Sequence, residues 1–123
     1  MNSVIRSYKD LIVWQRAMQL TAAVYSLTEN FPSTEQFGLI SQMQRSAVSI
    51  ASNIAEGRHR GTRKEFRHFL LIAYASGAEL ETQISLSKML LKTALLDYAI
   101  VDRLLLETMK MLNKMIYELR GKA

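Results

Sequence analysis

From Leu39 to Leu91 apolar residues recur at spacings of three and four, with one interruption between Glu56 and Phe66. This period constrains the fold more than any other feature, because it places apolar side chains on one face of a helix and on no face of a strand. Ile40, Met43, Ala47, Ile50 and Ile54 form the first stripe. Ser46, Ser49, Ala51, Ser52 and Ala55 surround it, and such small side chains let a neighbouring helix come close. Gly57 is the expected stop, since glycine takes a left-handed helix end at little cost. Thr62-Arg63-Lys64-Glu65 then has the spacing of a capping box. A second stripe follows through Phe66, Leu70, Ala73, Gly77, Leu80, Ile84 and Leu91, widened by Phe69, Leu86 and Leu90. Two helices, over 39–56 and from Thr62 to near Lys92, are therefore expected as a tight hairpin.

The flanks supply two more helices. Asp10 is placed to cap a first helix to about Thr28, with Leu11, Trp14, Ala17, Met18, Leu20, Ala23, Val24 and Leu27 at helical spacing. Trp14 and Tyr8 are expected to pack near its start. Pro32 disfavours helix at Phe31, and Ser33 with Gln36 has capping-box spacing for one short turn before Gly38. Asp97 should cap a fourth helix to about Leu119. Its polar stripe, Arg103, Glu107, Lys110, Lys114 and Glu118, is narrow, and nearly everything else is apolar. The methionines at 109, 111 and 115 read as core filler. An apolar face this wide exceeds what a lone small bundle covers, which predicts a subunit interface. One proline and five glycines leave little punctuation for strands. The short connections favour antiparallel neighbours, so residues 1–123 are expected to form one domain, an all-α, up-and-down antiparallel four-helix bundle assembled into a homo-oligomeric ring.

Composition narrows the classes of function. With 49% hydrophobic and 22% charged residues the chain has material for a packed core. Without cysteine it has no disulfide, no thiolate nucleophile and no Cys-based zinc site. The N-terminus lacks the apolar run of a secretory signal. The longest apolar run, from Phe69 to Ala75, falls far short of the roughly 18 residues of a membrane span. A cytoplasmic protein without membrane partners is the expectation.

The net charge of +5 is concentrated in one place. Arg58, Arg60, Arg63, Lys64 and Arg67 lie within ten positions, offset by Glu65, leaving 11 basic against 10 acidic residues elsewhere. Local charge points to a local anionic partner, so these five are the candidate nucleic-acid contacts. The plainer alternative is a solvated basic turn. No ring stands within the turn to stack on bases, so contact with phosphate and little sequence preference is expected. Glu65-x-x-His68 has the spacing of di-iron bundles. Such sites require a second pair and two more inward glutamates, and Arg63, Lys64 and Arg67 repel a cation, so no metal is expected. Gly57 to Thr62 lacks the P-loop spacing, and no nucleophile elbow is present. Neither a cofactor nor catalytic residues are expected. Arg45, Asn53, Glu56 and Glu79 stand beside the apolar stripes. In a hairpin turning near Arg60, Asn53 comes level with about Phe66 and Arg45 with about Tyr74, one turn from Glu79, which suggests a partly buried polar network fixing the register of the two helices.

The same residues carry a family resemblance. Arg45-x-Ala47-x-Ser49-Ile50-x-x-Asn53-Ile54-Ala55-Glu56-Gly57, then Phe66, Phe69-Leu70 and Glu79-Leu80, resembles the four-helix-bundle proteins encoded by intervening sequences in bacterial 23S ribosomal RNA genes. Tyr8-Lys9-Asp10-Leu11-x-Val13-Trp14-Gln15 and the segment from Phe31-Pro32 to Gln42 look like it too. Ala51 departs from the pattern, which often has proline there. The resemblance implies an up-and-down bundle, a homopentameric ring in several relatives, and no catalytic residues. More distant relatives assist a reverse transcriptase and interact with nucleic acid. The expected function is thus a non-enzymatic oligomer that binds RNA or DNA phosphates through the basic turn. The alternative is a scaffold for a protein partner.

Overall fold

The computed structural model describes residues 7–121. Residues 1–6, most of the segment read as lacking a signal, lie outside the described residues. Four helices make up most of the chain: α1 (Ile12–Thr28), α2 (Ser41–Arg60), α3 (Arg63–Met89) and α4 (Ala99–Glu118). Among the described residues there is no strand, and no helix is long and apolar enough to cross a membrane. The fold is all-α, as the periodicity requires.

Several helix ends differ from the sequence-based expectation, each for a visible reason. Asp10 does not cap α1. Its carboxylate turns back to the Ser7 N–H at 3.3 Å, while Ser7 Oγ accepts from Lys9 N–H, closing a 3₁₀ turn over Tyr8–Asp10. α1 starts after Leu11 with no side-chain cap. Ser33 likewise caps nothing. A 3₁₀ turn over Ser33–Glu35 runs into a π-helical turn over Gln36–Ile40, with Gly38 at the non-helical φ −108°, ψ −109°. α2 continues past Gly57 to Arg60, and Gly61 is the true stop at φ +90°. Gly57 is buried instead, against Phe66 and Phe69. Thr62 does cap α3, its Oγ1 accepting from Glu65 N–H at 3.1 Å. α3 stops at Met89, short of Lys92, where Thr93 Oγ1 donates to the Ser87 carbonyl at 2.6 Å and satisfies a terminal acceptor. Asp97 Oδ1 accepts from Ala99 N–H at 3.0 Å and leads the chain into α4.

The helices pair in a regular sense. Thr21 Oγ1 donates to the Ala47 carbonyl at 3.2 Å and Gln44 Nε2 to Thr28 Oγ1 at 3.1 Å, tying α1 to α2. Between α2 and α3, Gly57 lies on Phe66 and Phe69, Ser49 Oγ meets Ser76 Oγ at 2.8 Å, and Ser87 Oγ reaches Met43 Sδ at 3.7 Å. Across α3 and α4, Gly77 faces Met109, and Lys88 Nζ pairs with Asp102 at 2.7 Å. Arg16 and Glu107 join α1 to α4 at 3.2 Å. Rising positions in one helix thus match falling positions in the next. The end of α2, the start of α3 and the end of α4 share one end of the molecule.

The α2–α3 contact is the most extensive, and small residues make it so. Ser46, Ala47, Ala51 and Gly57 of α2 and Ala73 and Ser76 of α3 are all buried. Leu20, Met43, Ile50, Ile54, Leu70, Leu80 and Leu112 are the large side chains fully enclosed between the helices. Tyr8 and Trp14 pack edge to face, 5.3 Å between centroids, at the start of α1. Met109, Met111 and Met115 sit half-buried against the core. Ile100 and Leu106 of α4 remain 57% exposed, which locates the excess apolar surface foreseen for that helix.

Tyr98 closes the connection between α3 and α4. It is buried, and its hydroxyl donates to the Thr93 carbonyl at 2.8 Å. Burial pushes its phenol above the ordinary value of 10.0. The folded protein holds this proton longer than the unfolded chain does. Its contribution to stability is therefore complete below pH 10.0 and falls as pH rises from there through the raised folded value. Urea titrations above about pH 10 are expected to show a smaller alkaline loss in Tyr98→Phe than in the wild type. Identical pH slopes in the two proteins would contradict it.

Candidate nucleic-acid interface

The five predicted basic residues come together at the shared end of α2, α3 and α4, but they are not equivalent. Arg58 is half-buried in the last turn of α2 and lines a cleft with Gly61, Thr62, Arg63 and Phe66. Arg60 lies between two carboxylates, with Nε 2.9 Å from Glu56 and Nη1 3.6 Å from Glu65, and its guanidinium stands 5.0 Å from the Phe69 ring centroid. Its charge is largely offset locally. Arg63 Nη2 donates to the Glu118 carbonyl and Arg67 Nε to the Ile116 carbonyl, each at 3.0 Å. These carbonyls belong to the last turn of α4, where acceptors lack intrahelical donors and the helix dipole is negative. Arg63 and Arg67 therefore hold α4 in place. A guanidinium has five donors, so both retain N–H groups for another anion. Lys64 is exposed.

The structure brings in residues that the sequence reading left out. α4 carries Lys114 and Tyr117 to this end, and Arg120 follows just beyond the helix. Tyr117 is 59% exposed, and Arg120 lies over its ring at 3.9 Å from the centroid, donating to its hydroxyl at 2.8 Å. The turn itself holds no aromatic ring, and Tyr117 comes to this end from α4. The one available signal was the Lys110–Lys114 stripe, and nothing local to it shows that the helix ends beside Arg63. His68 is exposed with its ring edge-on to Phe69, centroids 5.3 Å apart. Arg63, Lys64, Arg67, His68, Leu71, Leu119 and Gly121 line a shallow groove here.

Arg45, Asn53, Glu56 and Glu79 do not form one network. Asn53 Nδ2 donates to the Ser49 carbonyl at 2.8 Å and to Ser49 Oγ at 3.0 Å, and Ser49 bonds Ser76 across the helix pair. Glu56 turns to Arg60. Arg45 and Glu79 are both exposed, and no ion pair joins them among the described residues. The small residues bring α2 and α3 too close to house a long charged pair, so those side chains stay in water and the hydroxyls bridge the helices.

A larger groove between the end of α1 and the start of α2 is lined by Tyr25, Phe31, Phe37, Ile40, Arg45 and Val48. It lies away from the basic cluster. Among the described residues no group of three or more His, Asp or Glu is placed to hold a metal ion.

No curated protein matches the chain. The family model described as 23S rRNA-intervening sequence protein matches residues 9–114, most of its length. It spans the small-residue contact of α2 and α3, the Thr62 cap and all five basic residues around the α2–α3 turn. The chain belongs to the 23S rRNA-intervening sequence protein family.

Proposed function

We propose that this protein is a non-enzymatic, cytoplasmic bundle of the up-and-down antiparallel kind, assembled into a homo-oligomeric ring, that binds RNA or DNA phosphates at its basic end. One observation carries the binding role: Arg58, Arg63, Lys64 and Arg67 share one end of the molecule with Lys114 of α4 and with Arg120 just beyond that helix. A ring repeats that surface around one rim and strengthens attraction for a polyanion. The opposed helix pairings support the antiparallel reading, and the exposed Ile100 and Leu106 support the assembly.

Lys64, exposed on α3, provides the cleanest test, with Arg58 replaced beside it to remove a second charge. Replacing Arg63 or Arg67 also loosens α4, and replacing Arg60 leaves Glu56 and Glu65 unpaired. Arg58→Gln with Lys64→Gln is expected to weaken binding about tenfold on every sequence and to lower the salt slope by between about one and two, measured by anisotropy across a salt series. Affinity and slope equal to wild type would refute the assignment. Sedimentation tests the ring, which a monomer at micromolar concentration contradicts.

A second reading, a scaffold for a protein partner, is favoured by the connection after α3, where Leu91 and Leu95 are 94% and 97% exposed. Capture of a specific protein that persists after nuclease treatment, together with no direct nucleic-acid binding, supports that reading over the first.

A further inference from the structure

We propose that the basic end takes single-stranded nucleic acid, with one base stacked on the open face of Tyr117. This rests on the phosphate-binding reading above and specifies which form of nucleic acid is preferred. Tyr117 meets three physical requirements of a stacking platform. Its ring is exposed beyond half its surface. Arg120 covers one face at 3.9 Å and holds the hydroxyl at 2.8 Å, so the ring is fixed before a base arrives and little side-chain freedom is lost on binding. Its backbone is fixed against the cationic surface as well. The carbonyls of its two neighbours, Ile116 and Glu118, accept from Arg67 and Arg63. Lys114, three positions before it, lies on the same face of α4 as the ring, and Arg120 follows just beyond the end of the helix.

Duplex cannot use this platform without unpairing, because its bases already stack on each other. A single strand presents free base faces to the ring and phosphates to the surrounding cations. Phe37, 92% exposed, has no comparable setting. It lies in the groove at the start of α2, whose lining holds one acidic residue, Glu29, and one basic residue, Arg45. Tyr117 and Arg120 also lie beyond the residues matched by the family model, so the inference concerns this chain rather than its relatives.

The test compares a labelled single-stranded oligonucleotide with the duplex of the same sequence by anisotropy, using wild type, Tyr117→Leu, Tyr117→Phe and the Arg58/Lys64 double variant. Wild type is expected to favour the single strand at equal salt. Tyr117→Leu is expected to weaken single-strand binding between about fivefold and a hundredfold, with a much smaller loss on the duplex. Tyr117→Phe keeps the ring and is expected to keep most of the affinity. The double variant is expected to weaken both ligands and lower both slopes. Tyr117→Leu behaving as wild type, or weakening both ligands equally, overturns the stacking proposal. If the double variant still loses affinity in that case, the phosphate reading stands alone. Absence of wild-type binding to either ligand overturns both.

Discussion

Leu112→Ala is expected to lower the unfolding free energy by about 2–5 kcal/mol. Leu112 is fully buried near the middle of α4, the helix least supported by close backbone contact. At its C-terminal end α4 is held by Arg63 and Arg67, and towards its start by Lys88–Asp102, an exposed pair of the kind that contributes about 0–1 kcal/mol. The apolar core therefore supplies most of what keeps α4 docked. Truncating Leu112 removes apolar burial and leaves a cavity that the neighbouring helices cannot close without losing their own contacts. Urea denaturation gives the loss directly, and a change below about 1 kcal/mol would contradict the packing described here. Leu106→Ala is the control. Leu106 is 57% exposed, so in an isolated bundle its loss is expected to stay within about 0.5 kcal/mol. A larger effect that grows with protein concentration would indicate that Leu106 is covered by another subunit.

Gly57→Ala is expected to destabilise the protein by about 1–2 kcal/mol, although alanine is the better helix former by up to about 1 kcal/mol. A Cβ at this position would stand 2.6 Å from Phe69 Cβ and 3.2 Å from the Phe66 carbonyl oxygen. Both atoms are fixed to the α3 backbone, so the helices must separate, and Ser49–Ser76 and the buried residues alongside loosen with them. Gly77→Ala gives the contrast. Its Cβ would meet the Met109 side chain, which can rotate away, and the helix-propensity gain offsets the disturbance, for a net change near zero. Chemical denaturation of the two variants orders them. A greater cost at Gly77 than at Gly57 would mean that α2 and α3 are not in the close contact described.

The two glycines of the turn mark the limit of what local pattern can tell. Gly57 and Gly61 both look like helix stops. Glycine serves either a positive φ or a close approach, and the two uses leave the same letter in the sequence. Phe69, on the following helix, decides that Gly57 serves the approach, and the helix then runs one turn further to Gly61. Asp10 poses the same problem. Its carboxylate has two possible sets of N–H groups in reach, and Ser7 rather than α1 receives it.

The candidate site was legible in part. Its basic residues are contiguous in sequence, so Arg58 to Arg67 could be picked out as a cluster. Their differing availability could not. Arg63 and Arg67 bond carbonyls 55 and 49 positions away, and Arg60 is offset by Glu56 and Glu65. The polar network drawn through Arg45 and Glu79 failed because helical level alone ignores how near the small residues bring the two backbones.

Sequence alone determined the all-α class, the existence of the four helices, the Thr62 cap and the family, because helical period, capping spacing and contiguous motifs act over a few residues. Tertiary structure alone decided which glycine ends α2, which arginines brace α4, and that Tyr117 joins the basic end. Each of these depends on atoms brought together from separate helices, whose distances are set by how closely the intervening side chains allow the helices to pack.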